Sequence, residues 1–415
     1  DNVKMKDSGV EWIGEIPEKW KAAKFKQVSN LYTGNSIKDE EKSLYEDSLN
    51  AIPYISTKDI DATNGYVNYE NGMYTKLNNV NFRVAKKDSI LMCIEGGSAG
   101  KKITYLSQDV SFVNKLCCFE TISINSKYQY YYLQSPVFTE QFKNNLSGLI
   151  GGVSIGKLKN LYIILPPLKT QQRIINCLDE KCKEIDSIIE NTKASIEEYK
   201  KYKQAVITEA VTKGLDPKVE KKDSGIEWIG QIPKHWRIYT LTQLFDQVKC
   251  KNLSLQVTNL LSLSYGKIVQ KDINTTGGLL PENFQGYNII ENGDIVLRLT
   301  DLQNDHTSLR VGLATQKGII TSAYITIRHK SGNNCEYLYY YLHSFDIYKG
   351  FYGMGSGVRQ GLTYDGIKCL KFALPTKQEQ EKTMKYLNSI EEEINNLISQ
   401  KQQFITELEN YKKSF

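Results

Sequence analysis

The sequence contains an internal repeat, and this repeat constrains the fold more than any other feature. Residues 6–20 read KDSGVEWIGEIPEKW and residues 222–236 read KDSGIEWIGQIPKHW, so 11 of 15 positions are identical at an offset of 216. A repeated segment of this kind predicts a repeated structural unit. A chain of 415 residues has room for two to three domains. We therefore expect two halves with the same architecture.

The repeat continues after these openings, but only in patches. At an offset of 209, YYL at 131–133 matches 340–342, SG at 147–148 matches 356–357, LP at 165–166 matches 374–375, and Gln171 matches Gln380. Residues 26–125 and 242–330 hardly resemble each other. Two halves that share these segments but differ in the regions between them predict two modules that perform the same function on different targets. An old duplication whose interiors drifted without selection is the alternative.

Each half shows the same succession of predicted elements. Short β-rich runs come first, separated by turn dipeptides such as Asn64-Gly65 and Gly277-Gly278. A Tyr-rich helix follows, then a Gly/Ser loop (147–154 and 353–363), a strand that ends at Leu-Pro, and a long helix. The Tyr side chains have helical spacing, so we expect them in the core rather than as base-stacking platforms. The predicted fold class is α+β, with two duplicated globular α/β domains.

Two long helices are predicted by heptad patterns that run from Ile174 to Val206 and from Thr383 to Tyr411. Each spans about 35 residues, or roughly 50 Å. Extra apolar residues widen both stripes, so the helices should pack against each other and against a further partner. We expect an antiparallel coiled coil within one chain, with a two-chain coiled coil as the alternative. The expected domains are 5–167, 168–213, 214–376 and 377–415.

Several classes of protein are disfavoured by the composition. No apolar run approaches the roughly 20 residues of a membrane helix, and residues 1–18 lack the apolar centre of a signal peptide. The eight cysteines form no CxxC pair and no zinc-finger spacing with histidine. We expect a soluble protein of a reducing cytoplasm. Met5 is a candidate natural start, which would make residues 1–4 a cloning remnant.

Motifs for catalysis are missing from the sequence. The segment GGSAGKK at 96–102 has three residues between its outer glycines and Lys in place of the final Ser/Thr, so it does not match a P-loop. All four histidines lie in the second half, so the two halves cannot share a histidine site. No nucleophile elbow, metalloprotease motif or adenine-methyltransferase tetrapeptide occurs. We expect no catalytic residue, cofactor or metal in this chain.

Binding to nucleic acid is compatible with the charge. The net charge is +6, which permits this partner without requiring it. Polar and basic residues of the divergent regions and Gly-rich loops are the groups that contact phosphates and base edges. Arg298, on a strand pattern, and Arg359, in a glycine-framed loop, are the strongest candidates. The full candidate set is Ser56, Thr57, Lys58, Arg83, Ser98, Lys101, Lys102, Asn114, Lys115, Ser154, Arg298, Arg310, Arg328, Arg359, Gln360 and Thr363.

The chain resembles the specificity subunits of type I restriction–modification enzymes over essentially its full length. The resemblance rests on the repeated DSGxEWIGxIPxxW openings, on the strand exits LPPLKTQ (165–171) and LPTKQEQ (374–380), and on the long helix after each exit. Two departures are minor: Thr170 stands where the family usually has Glu, and Thr376 replaces the second Pro.

The resemblance implies a non-catalytic, sequence-specific subunit that binds double-stranded DNA. Each target-recognition domain would read one half of a bipartite, gapped site. The helices would act as spacer and docking platform for two methylation subunits, which hold S-adenosylmethionine; restriction subunits, which use ATP and Mg, would join them. The alternative is a coiled-coil protein-interaction adaptor, which would show no salt-dependent DNA affinity. A stand-alone nuclease or methyltransferase would need a catalytic cluster that the sequence lacks.

Overall fold

The computed structural model describes residues 3–11, 13–77, 79–147, 151–273, 283–302, 309–330, 332–354 and 361–414. The chain divides into two compact units. The first comprises Asp1–Thr192 and Gln402–Phe415, and the second comprises Lys193–Lys401. This division passes through both long helices and does not test the domain limits expected from the sequence.

The first unit begins with short strands and ends in a long helix. Its strands are β1 (Met5–Asp7), β2 (Glu15–Pro17), β3 (Lys21–Lys24), β4 (Ser29–Thr33), β5 (Ala51–Ile55), β6 (Tyr74–Lys76), β7 (Val84–Ala85), β8 (Ile90–Cys93), β9 (Ile103–Tyr105), β10 (Val110–Phe112), β11 (Leu116–Thr121) and β12 (Tyr162–Leu165). Its helices are α1 (Phe25–Val28), α2 (Ser126–Gln134), α3 (Pro136–Asn144), α4 (Ile155–Leu158), the first part of α5 (Leu168–Lys213) and the end of α9 (Lys377–Lys413), with 3-10 helices at Asp39–Tyr45 and Thr57–Asp59.

The second unit repeats this order of elements. Its strands are β13 (Lys221–Asp223), β14 (Gln231–Pro233), β15 (Arg237–Thr240), β16 (Phe245–Gln247), β17 (Leu261–Ser264), β18 (Lys267–Gln270), β19 (Asn288–Ile290), β20 (Ile295–Leu297), β21 (Val311–Leu313), β22 (Gly318–Ile320), β23 (Ile325–His329) and β24 (Lys371–Leu374). Its helices are the rest of α5, α6 (Leu241–Leu244), α7 (Cys335–Ile347), α8 (Tyr364–Ile367) and most of α9 (Lys377–Lys413).

The central sheet of the first unit is covered on both faces. Its strand order is β4-β11-β8-β9, with antiparallel neighbours. Side chains alternate along a strand, so Ile90 and Met92 of β8 pack in one core with the helices, while Leu91 and Cys93 pack in a second core. The second core lies against the other four-stranded sheet, β6-β5-β10-β7. Burial on both faces explains why β8 (ILMC) and the first four residues of β11 (LCCF) are apolar.

The second unit contains the corresponding sheet, ordered β16-β23-β20-β21. Ile295 and Leu297 of β20 face a helix-covered core, and Val296 faces a smaller core shared with Leu261 and Ile320. The expected duplicated α+β architecture is thus confirmed. The two units differ in the strands that cover the outer face, and these strands come from the divergent sequence regions.

The repeated opening forms the same hairpin in each unit. In the first, the amide of Gly9 donates to Asp7 Oδ1 at 2.9 Å; in the second, the amide of Gly225 donates to Asp223 Oδ1 at 3.0 Å. Both glycines have positive φ, +74° and +63°, which explains why glycine follows Asp-Ser in both copies.

The strand exits at 165–171 and 374–380 form a second pair of matching hydrogen bonds. Gln171 Oε1 accepts from the amide of Asn125 at 3.0 Å, which joins the start of α5 to the start of the Tyr-rich helix α2. Gln380 Oε1 accepts from the amide of Asn334 at 2.9 Å, which joins α9 to α7 in the same way. The Tyr-rich helices are packed as expected, because Tyr132 and Tyr341 are buried in the cores of their units.

The long helices α5 and α9 contain 46 and 37 residues. In the second unit, Lys203 Nζ donates to Asn395 Oδ1 at 3.1 Å, and Lys401 Nζ lies 5.6 Å from the ring centre of Tyr199. Earlier residues of one helix therefore face later residues of the other, which is antiparallel packing within one chain. α5 is longer than the roughly 35 residues of its heptad pattern, because the helix starts directly after Pro167 and continues to Gly214, with no glycine or proline between.

Candidate nucleic-acid interface

One end of the first unit gathers the ends of both four-stranded sheets. In the outer sheet, Ile55 at the end of β5 pairs with Phe112 at the end of β10. In the central sheet, Cys93 at the end of β8 pairs with Leu116 at the start of β11. We call the loops at this end, residues 55–58, 83, 94–102, 113–115 and 151–154, the first loop face.

Backbone hydrogen bonds hold these loops together. The amide of Val113 donates to Ile55 O and the amide of Ile94 donates to Lys115 O, both at 3.0 Å. The amide of Val153 donates to Ile94 O at 3.0 Å, which adds the Gly/Ser loop before α4. Segments far apart in sequence therefore form one continuous surface.

The structure places all ten first-half candidates on this face. Six of them are exposed: Lys58, Arg83, Lys101, Asn114, Lys115 and Ser154. The other four are partly buried: Ser56, Thr57, Ser98 and Lys102.

Several of these side chains also shape the loops. Ser56 Oγ donates to Asp59 Oδ2 at 2.6 Å, and Lys102 Nζ donates to Thr57 O at 2.7 Å. Ser154 caps α4 by accepting from the amide of Lys157 at 3.4 Å. The exposed cations Lys58, Lys101 and Lys115 leave the face with positive charge for a phosphate backbone.

The glycine-rich segment 96–102 is a tight turn, in agreement with its failure to match a P-loop. Gly96 and Gly100 have φ of +83° and +74°. A Cβ on Gly100 would lie 2.7 Å from Cδ1 of Phe142, so this position has no room for a side chain. The turn brings Lys101 Nζ to within 3.2 Å of Gly97 O. Its function is therefore to shape the first loop face.

The second unit has an equivalent end. The amide of Leu362 donates to Leu299 O at 2.8 Å, which repeats the bond between Val153 and Ile94 in the first unit. Residues 247–251, 298–300, 322–325 and 361–364 lie at this end, and we call them the second loop face. Arg298 follows the end of β20 and is half-buried, and Thr363 is exposed directly before α8. Arg359 and Gln360, the other candidates in this loop, lie outside the described residues.

A cleft of about 540 Å³ opens in the second loop face. Its lining includes the predicted residue Thr363, but most of it was not predicted. The lining residues are Gln247, Val248, Lys249, Lys251, Asn288, Leu299, Thr300, Ser322, Ala323, Tyr324, Ile325, Gly361, Leu362, Thr363 and Tyr364. The exposed Lys249 and Lys251 follow β16 and could have been found in the sequence as a basic pair. Asn288 carried no sequence signal, because its position depends on the pairing of β19 with β22.

Arg310 was predicted to contact DNA, which requires an exposed side chain, but the structure places it inside the second unit. Its side chain is fully buried. The guanidinium NH1 donates to Thr300 O at 2.8 Å and NH2 donates to Asp301 O at 3.3 Å. A buried guanidinium cannot touch DNA in this structure. Arg310 instead holds the loop that follows β20, next to Arg298.

A buried carboxylate accompanies Arg310. Asp346 of α7 accepts a hydrogen bond from the backbone amide of Arg310 through Oδ2. Burial raises the pKa of Asp346 to about 6, and the hydrogen bond from the Arg310 amide, with the nearby positive charges of Lys349 and Arg310, limits the rise. The pair therefore connects the loop after β20 to the helix-covered core.

Arg328 lies at the opposite end of the central sheet. It is opposite Asp246 in the β16–β23 ladder, and its Nε and NH2 donate to Asp294 at 2.6 and 2.8 Å. Asp294 is 1% exposed, so Arg328 compensates a buried charge. Of the second-half candidates, the structure thus brings Arg298 and Thr363 together on the loop face and separates Arg328 from them.

The part of the chain that the structure describes contains no group of three or more His, Cys, Asp or Glu side chains placed to hold a metal ion. Within the same residues, no helix is both long enough and apolar enough to cross a membrane.

Comparison with known proteins gives concordant matches. The family described as "Type I restriction modification DNA specificity domain" matches residues 17–198 and 233–407. The MjaVIII specificity subunit of a type I restriction enzyme from Methanocaldococcus jannaschii is 26% identical over 303 residues, which cover 68% of this chain and 64% of that protein. A putative MjaX specificity subunit from the same organism is 24% identical over 399 residues, which cover 92% of this chain and 88% of that protein.

Solved structures show the same fold. A chain from a structural study of complex assembly and conformational transition in the type I R-M system has a TM-score of 0.62 at 14% identity, with 96% of this chain and 97% of that chain covered. The HsdS subunit from Thermoanaerobacter tengcongensis has a TM-score of 0.51 at 14% identity, with 96% of each chain covered.

Proposed function

Because the chain belongs to the family of type I restriction–modification DNA specificity subunits, we propose that its two loop faces read the two halves of a bipartite, gapped DNA site. DNA sequence recognition is the shared task of the family. The finer assignment rests on the duplicated structure. Two surfaces at equivalent ends of two similar units provide one reader for each half-site.

The observation that carries this proposal is the contrast between the bonds that build each face and the residues that line it. The bond from Val153 to Ile94 in the first unit recurs as the bond from Leu362 to Leu299 in the second. The lining differs: the first face presents Lys58, Lys101 and Lys115, and the second has a cleft. The same frame with different contact groups suits two readers of different base sequences.

We assign direct DNA contact to the exposed or half-exposed candidates of the two faces. Arg298 and Thr363 belong to this set in the second unit, and the ten first-half residues belong to it in the first. Arg310 and Arg328 are left out, because one is buried and the other is paired with Asp294 far from the face. Arg359 and Gln360 stay sequence-based proposals.

The helices α5 and α9 act as the spacer in this proposal. Two modules that read successive major grooves on one side of a duplex need half-sites about one DNA turn, roughly 34 Å, apart. A helix keeps a fixed rise of about 1.5 Å per residue, so helix length would set the gap between half-sites.

The same helices also provide the docking platform for two methylation subunits. Leu397, Phe404 and Tyr411 recur every seven residues on α9 and are 40%, 44% and 56% exposed. Large apolar side chains left exposed at heptad spacing suit a partner protein. The methylation subunits would supply S-adenosylmethionine, and restriction subunits would supply ATP- and Mg-dependent steps, so this chain serves as a non-catalytic subunit without its own cofactor.

Salt-dependent DNA binding separates this proposal from a protein-interaction adaptor. We expect the full chain with its methylation subunit to bind a 40-base-pair duplex with an affinity that falls steeply as salt rises, because phosphate contacts release counterions. The measurement is fluorescence anisotropy across a salt series. Binding that is absent at low salt, with the protein complex intact, would favour the adaptor.

A further inference from the structure

The cleft of the second loop face contains a buried amide with an unused acceptor. Asn288, the first residue of β19, lines the cleft and is 5% exposed. Its Oδ1 atom is buried, and no donor among the described residues bonds to it. Folded proteins retain few buried acceptors of this kind, since leaving one unpaired is unfavourable. A donor from a ligand in the cleft would remove this cost.

The surroundings of Asn288 favour a nucleotide as that ligand. Two exposed lysines, Lys249 and Lys251, lie on the lining, and no carboxylate is among the described residues that line the cleft. The volume of about 540 Å³ admits a base with part of its backbone. Positive charge beside a buried amide matches a phosphate joined to a base edge.

Hydrogen bonds fix the positions of the residues that form the walls of the cleft. Leu299 accepts the amide of Leu362, and Thr300 O accepts from the buried guanidinium of Arg310 at 2.8 Å. A contact group that reads bases must be positioned by its neighbours to within a fraction of an ångström. The cleft therefore has the fixed geometry that base reading requires.

We propose that this cleft binds one nucleotide of the half-site read by the second unit, and that Asn288 Oδ1 accepts a hydrogen bond from the exocyclic amino group of its base. This inference rests on the proposed function and deepens it. In the major groove, adenine N6 and cytosine N4 are the amino donors. Asn288 is thus a specificity-determining residue for a position occupied by adenine or cytosine, and Lys249 and Lys251 contact the adjoining phosphates.

The test is Asn288→Leu in the full chain, co-expressed with its methylation subunit. Single-molecule sequencing of the host DNA gives the methylated motif of wild type and variant. We expect one position of one half-site to lose its requirement for adenine or cytosine, while the other half-site stays unchanged. Affinity for a duplex carrying the wild-type motif should fall roughly ten- to hundredfold.

Two further variants serve as matched controls. Asn259 also has a buried Oδ1 without a partner among the described residues, but it does not line the cleft. Asn259→Leu should lower thermal stability without changing the motif. Lys249→Gln, an exposed change, should weaken binding to all duplexes alike and reduce the slope of log affinity against log salt by about 1.

The outcomes separate this inference from the function on which it rests. An Asn288→Leu complex that melts like the Asn259→Leu complex and methylates the wild-type motif unchanged overturns the role of Asn288 and leaves the proposed function intact. A wild-type complex that yields no gapped motif overturns both. If Asn288→Leu does not fold, the smaller Asn288→Ala decides: it also removes the acceptor, so the position should lose its requirement for adenine or cytosine, and an unchanged motif overturns the inference.

Discussion

Arg310 connects the second loop face to the core of its unit. Its guanidinium donates to the carbonyls of the loop after β20, and its Nε lies 3.3 Å from the hydroxyl of Tyr352. Its backbone amide donates to the buried carboxylate of Asp346. A fully buried cation with several acceptors acts on the position of its neighbours rather than on solvent.

Replacing Arg310 by Met should therefore affect both folding and recognition. We expect the free energy of unfolding to fall by at least about 2 kcal/mol, because the loop carbonyls lose their donor in a buried setting. DNA affinity should fall for the half-site read by the second unit only. Denaturant unfolding and duplex binding measure the two effects.

Arg328→Met is the matched control for this change. It removes the partner of buried Asp294 and should destabilise the unit by a similar amount. Because Arg328 lies at the other end of the central sheet, the half-site preference should stay unchanged. Equal losses of recognition in both variants would contradict a positioning role for Arg310.

His343 makes the stability of the second unit depend on pH. Its ring stacks on that of Tyr339, with the two ring centres 5.6 Å apart. Burial, together with the nearby charge of Lys203, lowers the pKa of His343 to about 4. Between pH 6.5 and 4 the unfolded chain binds a proton that the folded chain does not, so stability falls as the pH falls through this window.

The matching prediction compares wild type with His343→Phe, which keeps a stacked ring and cannot titrate. From pH 7 to pH 5, wild type should lose about 2 kcal/mol more unfolding free energy than the variant. Urea titrations at the two pH values give this difference directly. Identical losses in the two proteins would show that His343 is not held neutral.

Residue roles were the least predictable part of the molecule. The sequence indicated that cations of the divergent regions contact DNA, and this grouping placed Arg298, Arg310 and Arg328 together. Only the strand register shows that Arg310 points into the unit and that Arg328 faces Asp294. The role of Asn288 was also not predictable from the sequence, because the cleft around it is assembled from five separate segments of the chain.

Elements were easier to predict, because local chemistry specifies them. Asp-Ser-Gly sets the turn of each opening hairpin, and Gln after Leu-Pro ties each long helix to a Tyr-rich helix. The heptad stripes predicted α5 and α9 and their antiparallel packing. Most of the strands that cover the outer sheet faces were not assigned, since they lie in the divergent regions and pair only through tertiary contacts.

Helix length should set the gap between half-sites. Inserting seven residues into α5 between 195 and 196, and seven into α9 between 404 and 405, keeps the heptad phase and adds about 10 Å. At 3.4 Å per base pair, the gap should grow by about three base pairs, with both half-sites unchanged. Methylation mapping reads the gap directly.

The control inserts seven residues into the loop between 214 and 221, outside the helices. This change should leave the gap unaltered. A gap of wild-type length in the helix variant, with the complex still active, would rule out the helices as the spacer.

The whole molecule consists of two copies of one architecture with different contact surfaces. If each surface reads its half-site independently, the surfaces are exchangeable. Replacing residues 26–145 by the corresponding segment of another family member should change one half-site and leave the other intact, because the opening hairpin, the strand exit and the long helices are kept. Methylation mapping of the hybrid tests this, and a change in both half-sites would contradict independent reading.

The most direct test of the account is the methylation motif of the wild-type complex. The chain is co-expressed with its methylation subunit in a host without other methylation, and methylated adenines are mapped by single-molecule sequencing. We expect one motif with two specific parts separated by a gap of fixed length. A motif without a gap, or a stable complex that methylates no specific sequence, would contradict it.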